Sequence, residues 1–68
     1  MENERAIKDR YNRKVALLKS SDLPPHRIER EVFKFEKSCT IMDLSEDELR
    51  YVFFLRDRLL NKILWEKI

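Results

Sequence analysis

Residues 44–49 read Leu44-Ser45-Glu46-Asp47-Glu48-Leu49 and carry the clearest structural signal in the chain. Ser45 and Glu48 stand at the spacing of a capping box, in which each side chain bonds the backbone N–H of the other residue at a helix N-terminus. Leu44 and Leu49 have the spacing of a hydrophobic staple, and the helix dipole favours the intervening carboxylates. The stretch predicts that a helix begins directly after Ser45.

The helix that follows is predicted to run from Glu46 to Lys67. Its apolar residues recur largely at steps of three and four, the spacing that gathers side chains on one side of a helix. This predicted core stripe comprises Leu49, Val52, Phe53, Leu59, Leu60, Ile63 and Leu64. A helix of this length spans about 33 Å, more than the two preceding helices can cover. We therefore expect its C-terminal half, around Trp65, to protrude or to pair with another surface.

A second stripe on the same helix comprises Phe54, Arg58, Asn61 and Trp65, with Tyr51 close by. At about 100° per residue, its two outer aromatic residues lie roughly 150° to 170° from the centre of the core stripe. A surface helix normally carries charge on that side, so an aromatic stripe needs a cover from the rest of this chain, a second copy or another protein. Aromatic residues and arginine are the types enriched at binding hot spots.

Length and composition favour a small all-α protein. The chain has 68 residues, of which 41% are charged and 43% hydrophobic, and it contains no glycine. Tight turns, sheet bulges and phosphate-binding loops usually need a residue that tolerates positive φ, and glycine does so most readily. The lack of glycine therefore predicts that the protein has none of these features. A single domain of this length, residues 1–68, buries only about 60% of the surface of its unfolded chain. Self-association or a partner would therefore add stability.

Two shorter helices are predicted before the long one. From about Asn3 to Lys19 the apolar residues Ile7, Tyr11, Val15 and Leu18 are three or four apart. Residues 20–25, Ser-Ser-Asp-Leu-Pro-Pro, predict a turn, and Pro25 suits the first turn of the next helix. The apolar stripe of that helix is Ile28, Val32, Phe35 and Cys39. We predict a three-helix bundle, a helical hairpin plus a longer C-terminal helix, with dimerisation as a means of completing it.

These patterns favour a non-enzymatic protein-interaction module, a small adaptor, inhibitor or regulator that binds a larger protein or itself. The predicted binding residues belong to the second stripe and its surroundings. Phe54, Arg58 and Trp65 are the predicted anchors, with Tyr51, Leu55 and Phe33 around them.

The alternative is a nucleic-acid-binding regulator that uses the basic first helix, where Arg10, Arg13 and Lys14 surround Tyr11. Residues 1–20 contain six lysine and arginine residues against three acidic ones. Such a helix can follow a phosphate backbone, although the pattern is also typical of a solvated helix face. A helix-turn-helix is disfavoured because the third helix begins with three carboxylates, at the end that would meet DNA.

No catalytic, cofactor-binding or metal-binding residue is predicted. His26 is the only histidine, and the sequence places no cysteine or carboxylate at metal-ligand spacing from it. Cys39 continues the apolar stripe of the second helix, which predicts a small buried hydrophobe rather than a reactive thiol. General acid-base catalysis needs a cleft that so short a chain can hardly build. The sequence therefore argues against an enzyme.

The expected location is the cytoplasm. One cysteine allows no internal disulfide, and the sequence has neither an apolar signal region nor an apolar run long enough to span a membrane. A third alternative is association with a membrane surface through Phe54, Trp65 and Ile68, since amphipathic helices with tryptophan and basic residues can lie at an interface. It involves only the last turns of the third helix.

Overall fold

The computed structural model describes residues 2–67, with the side chains of residues 3–65, and within that range the chain forms three helices and no strand. The helices are α1 (Glu2–Ser20), α2 (Pro25–Thr40) and α3 (Glu46–Lys67). Each helix contacts both others. The molecule measures 34 × 16 × 16 Å, so α3, at about 33 Å, runs along its whole length. The prediction of an all-α three-helix bundle is confirmed.

The predicted capping box is present at the start of α3. The backbone N–H of Ser45 donates to Glu48 Oε1 at 2.8 Å, and the N–H of Glu48 donates to Ser45 Oγ at 3.3 Å. The side-chain amide of Asn3 on α1 donates to the same Glu48 oxygen and to the Asp43 carbonyl, both at 3.4 Å. These bonds place the beginnings of α1 and α3 at the same end of the bundle.

The start of α2 follows from its two prolines. Pro24 has an extended backbone (φ −69°, ψ 158°), and Pro25 occupies the first turn. The Pro24 carbonyl accepts hydrogen bonds from the N–H groups of Arg27 and Ile28 at 3.0 and 3.1 Å. A proline in the first turn loses no hydrogen bond, because its N–H would have no partner within the helix. The prolines therefore set where the chain turns back on α1.

The core contains buried side chains from all three helices. Every residue of the stripe predicted for α2 is buried, and on α1 Ile7 and Leu18 are buried while Tyr11 and Val15 pack partly buried against them. The Tyr11 and Phe35 rings pack in a T-shaped arrangement, with the ring centroids 6.2 Å apart. The periodicity of the two shorter helices thus predicts their buried sides correctly.

The buried side of α3 agrees with the predicted one in part. Val52, Leu59 and Ile63 were predicted for the core and are buried, whereas Leu55 is buried and was not predicted there. Phe53, predicted for the core, is 39% exposed and lies under the Arg56 guanidinium, 5.2 Å from the ring centroid. Leu55 is only 5% exposed, so its predicted place beside the exposed binding residues is corrected. The apolar arc of α3 is so broad that residue spacing alone does not indicate which part α1 and α2 will contact.

The C-terminal half of α3 packs on the bundle instead of protruding from it. Leu59 and Ile63 are buried, and Leu64 packs partly buried against the core. Trp65 directly follows these residues and is nevertheless 76% exposed. Its exposure therefore results from the side of α3 that it occupies. The expectation of a protruding half is wrong for the described residues, and the other expectation, that this half pairs with another surface, stays a prediction.

Candidate functional site

The exposed side of α3 forms one continuous surface. Phe54 and Trp65 are 58% and 76% exposed, and together with four polar residues they line a shallow concave region that is largely open to solvent. We call these six residues the aromatic face: Phe54, Asp57, Arg58, Asn61, Lys62 and Trp65. Three of the predicted binding residues, the proposed anchors, thus lie on the same surface.

Contacts beside the aromatic face connect it to the rest of the bundle. Arg56 Nη2 is 3.1 Å from Asp57 Oδ1, and the same guanidinium forms an ion pair with Glu36 of α2. The Arg56 side chain is also the one that lies over Phe53. The aromatic face therefore lies on a helix that is held in place by its buried side and by this ion-pair network.

Two other predicted residues lie apart from the aromatic face. Phe33 is 54% exposed but lies on α2, and it does not line the concave region. Tyr51 packs partly buried against the core and lines a separate depression with Glu4, Arg5 and Lys8 of α1. The structure therefore joins the three anchors without joining Phe33 or Tyr51 to the same concave region.

The three basic residues named for the nucleic-acid alternative do come together. Arg10, Arg13 and Lys14 line a groove of about 340 Å³ between α1 and α2. Lys34 and Leu17 also line this groove, and Leu17 is 48% exposed. The groove is therefore basic with an apolar part.

Two of these cations are engaged within the protein. Arg10 Nη1 donates to the backbone carbonyl of Ser38. Lys14 Nζ lies 3.0 Å from Glu31 Oε2, and its side chain is 19% exposed. Lys34 binds the other oxygen of the same carboxylate at 3.3 Å. Arg10 and Lys14 thus tie α1 to α2, which reduces the positive charge offered to an outside ligand.

The two remaining residues with reactive side chains are His26, on the surface, and Cys39, in the core. His26 is exposed at the start of α2. Cys39 is buried, and that burial raises the pKa of its thiol above the ordinary value. Among the described residues, no group of three or more histidine, cysteine or acidic side chains is placed to hold a metal ion. Nor is any described helix both long and apolar enough to cross a membrane, and Ile68 lies outside the described residues.

Several residues of the aromatic face and of the basic groove are not among the binding residues predicted from the sequence. Asp57 and Lys62 belong to the aromatic face, and helical spacing could have placed them there, since they follow Phe54 and Arg58 by three and four positions. Leu17 and Lys34 line the basic groove from different helices. No sequence signal brings that pair together, because it depends on how α1 packs against α2.

Comparison with known proteins gives no further guidance. No protein-family profile, curated protein or solved structure matches this chain significantly. The function is therefore argued from the aromatic face itself.

Proposed function

We propose that the protein is a non-enzymatic interaction module, a small adaptor, inhibitor or regulator, that binds a protein surface through the aromatic face. The supporting observation is the exposure of Phe54 and Trp65 on one side of α3, with Arg58 between them in the sequence. Tryptophan, tyrosine and arginine carry a disproportionate share of binding energy at protein interfaces, most of all near the centre of the contact.

Covering these rings is favourable because apolar surface is more stable out of water than in it. Apolar surface removed from water gains about 25 cal/mol per Å², and large aromatic rings supply 150–250 Å² each when buried. In the isolated chain the rings of Phe54 and Trp65 do not gain most of this burial free energy, because both side chains are more than half exposed. A partner that covers the two rings recovers it.

Nucleic-acid binding has less support. Arg10 and Lys14 already have partners on α2, and an apolar side chain occupies the groove that they line. Binding to phosphates would have to compete with the Glu31 carboxylate for Lys14 and Lys34. A steep fall of affinity with rising salt would nevertheless identify that mode of binding.

A site-specific cross-linking experiment tests the proposal. A photo-activated amino acid replaces Asn61, at the centre of the aromatic face, and in a second protein it replaces Asn12, an exposed asparagine of α1. We expect adducts with protein from position 61 that are lost on adding Trp65→Ala, and no equivalent adduct from position 12. Equal labelling from both positions, or none from either, would contradict the proposal.

Substitutions then measure the contribution of each anchor. Phe54→Ala and Trp65→Ala should each weaken binding by about 2 kcal/mol or more, as central anchors do. Phe33→Ala is the matched control, because its ring is similarly exposed but lies off the aromatic face. Losses below about 0.5 kcal/mol for both anchors, in variants with unchanged circular dichroism, would refute the proposal.

A further inference from the structure

The basic groove between α1 and α2 combines two kinds of surface. Its cations are Arg10, Arg13, Lys14 and Lys34, and among the described residues none with an acidic side chain lines it. Leu17, which is 48% exposed, adds an apolar side chain. The aliphatic stems of arginine and lysine add further apolar surface, since these residues lay their carbon chains along a protein and keep the charged group in water. The groove therefore presents apolar surface beside four cationic groups.

Contacts within the protein neutralise only part of this charge. The Glu31 carboxylate binds both Lys14 and Lys34, so one negative charge is shared by two cations. Arg10 donates to a backbone carbonyl, which carries no net charge. Arg13 is exposed and has no ion-pair partner among the described residues. Four cations and one carboxylate leave three positive charges at the groove.

We propose that the basic groove binds a short acidic segment of another protein, in which carboxylates flank one apolar side chain. Carboxylates complement the net positive charge of the groove. The apolar side chain leaves water against Leu17 and the neighbouring aliphatic stems, which is favourable in proportion to the area covered. No described residue of α3 lines the groove. The groove is therefore a second binding surface, separate from the aromatic face and beyond the proposed function.

The length of the groove limits the length of the segment. The lining residues of α1 begin at Arg10 and end at Leu17, which corresponds to about 10 Å along the helix axis at about 1.5 Å per residue. An extended peptide advances about 3.3 Å per residue. About three residues of an extended segment therefore match the groove, enough for one apolar side chain between two carboxylates.

A nucleic acid uses fewer of these features. Single strands gain much of their binding energy by stacking bases on aromatic side chains, and the aromatic ring that lines the groove, that of Phe35, is only 2% exposed. Duplexes are held by many phosphate contacts along a backbone, whereas the cations of α1 lie within about two helical turns. Leu17 offers nothing to a phosphate. An acidic peptide uses both the cations and the apolar surface.

Peptide titrations followed by fluorescence anisotropy test the chemistry of the ligand. The first probe is a short labelled peptide with one leucine flanked by glutamates, the second has glutamine in place of the leucine, and the third has glutamines in place of the glutamates. We expect the first peptide to bind the wild-type protein at least about fivefold more tightly than either of the others. No binding of the first peptide, or equal binding of the first two, would overturn the proposal.

Substitution of Glu31 tests the cations without removing any of them. The Glu31 carboxylate lies 3.0 Å from Lys14 Nζ and 3.3 Å from Lys34 Nζ, so it competes with the carboxylates of a ligand. Glu31→Gln should therefore tighten binding of the first peptide by about two- to fivefold. Glu29→Gln is the control, because it removes the same charge from an exposed position of the same helix. Equal gains in both variants would show that only net charge matters and would overturn the proposal.

A thermodynamic cycle locates the ligand in the groove. Replacing the peptide leucine should weaken binding to wild type but have little effect on binding to Leu17→Gln, because groups in contact do not act independently. Arg13→Gln should weaken binding of the first peptide by about two- to fivefold. Arg5→Gln is its control, an exposed arginine of α1 that lines the separate depression beside Tyr51. Independent leucine effects, or equal losses from the two arginine variants, would overturn the proposal if circular dichroism is unchanged.

A labelled single-stranded oligonucleotide and the double variant Phe54→Ala, Trp65→Ala complete the experiment. Tighter binding of the oligonucleotide than of the first peptide, unchanged in Leu17→Gln, would identify a phosphate site and overturn the proposal. The double variant should bind the first peptide as wild type does, since both substitutions lie on α3. Loss of peptide binding in this variant, with the fold intact, would place the peptide on the aromatic face and overturn the proposal.

Discussion

Glu48 shows how much one side chain contributes to the local fold. Its carboxylate accepts the Ser45 N–H at 2.8 Å and the Asn3 amide at 3.4 Å, so it serves the start of α3 and joins it to α1. The backbone hydrogen bond from Ser45 is the main cause that holds the pKa of Glu48 below its usual value. The capping box is therefore a tertiary contact as well as a local one.

Loss of the cap should destabilise the protein measurably. We expect Ser45→Ala to lower the free energy of unfolding by about 1 kcal/mol, since the N–H of Glu48 loses its side-chain acceptor. Ser20→Ala is the control, because its hydroxyl donates to a carbonyl in the last turn of α1. Urea denaturation followed by circular dichroism measures both. An equal loss in the two variants would show that the capping box has no special role.

Acid should weaken the tie between α1 and α2. The hydrogen bond from Lys14 is the largest cause that holds the pKa of Glu31 below its usual value, and a second one from Lys34 adds to it against the effect of burial. A carboxyl with a depressed folded pKa contributes stability above its unfolded pKa, and this contribution is lost as pH falls through the folded value. The contribution of Glu31 should therefore be full above the usual pKa of a glutamate and should be lost progressively as pH falls through the lower pKa of the folded state.

Urea midpoints at several pH values check this expectation. Wild type should lose more stability between about pH 5 and pH 3 than Glu31→Gln, which lacks the titrating group. Glu29→Gln replaces an exposed carboxyl on the same helix and should keep the full acid sensitivity. The explanation fails if Glu31→Gln and wild type respond to acid identically.

At the scale of the element, α3 has one side buried in the bundle and one side with exposed aromatic residues. Leu59 is fully buried, whereas Trp65 is 76% exposed, although both are large apolar residues of one helix. We expect Leu59→Ala to cost about 2–5 kcal/mol of stability, the range for truncating a buried leucine. Trp65→Ala should cost the isolated monomer less than about 0.5 kcal/mol.

Chemical denaturation at a protein concentration at which sedimentation shows a monomer measures the two effects. The division of α3 is contradicted if Trp65→Ala destabilises the monomer as much as Leu59→Ala does. That result would mean that Trp65 packs on the bundle and is not available to a partner.

At the scale of the whole molecule, small size connects folding to association. A chain of 68 residues has a limited core and correspondingly small net stability. If two copies pair through their aromatic faces, folding and dimerisation are linked, and Tm must rise with protein concentration. A change of 1 kcal/mol in the free energy of unfolding shifts Tm by about 4–8 °C for a domain of this size. The effect is therefore measurable.

Scanning calorimetry over a hundredfold range of protein concentration tests the linkage. Wild type should show a Tm that rises by several degrees, and the double variant Phe54→Ala, Trp65→Ala should show a constant one. The comparison separates association from general stabilisation by crowded solution, which would act on both proteins. A constant Tm for wild type would argue against a dimer in this range.

Residue order alone predicts much of the fold, because the decisive signals are local. The Ser45 and Glu48 pair marks the start of α3, and Pro25 marks the start of α2. The spacing of the apolar residues Ile28, Val32, Phe35 and Cys39 identifies the buried side of α2. Each signal depends on backbone hydrogen bonds or helical periodicity within a few residues. The aromatic stripe of α3 was predictable for the same reason.

Tertiary structure decided which part of α3 is covered. The apolar residues of this helix extend around most of its circumference, so several orientations would bury a similar area. Packing against α1 and α2 buries the side of α3 that contains Leu55. Phe53 remains partly exposed, with the Arg56 guanidinium over its ring. The same packing engages Arg10 and Lys14 with α2. These outcomes depend on contacts between residues far apart in the chain, which periodicity within one helix does not encode.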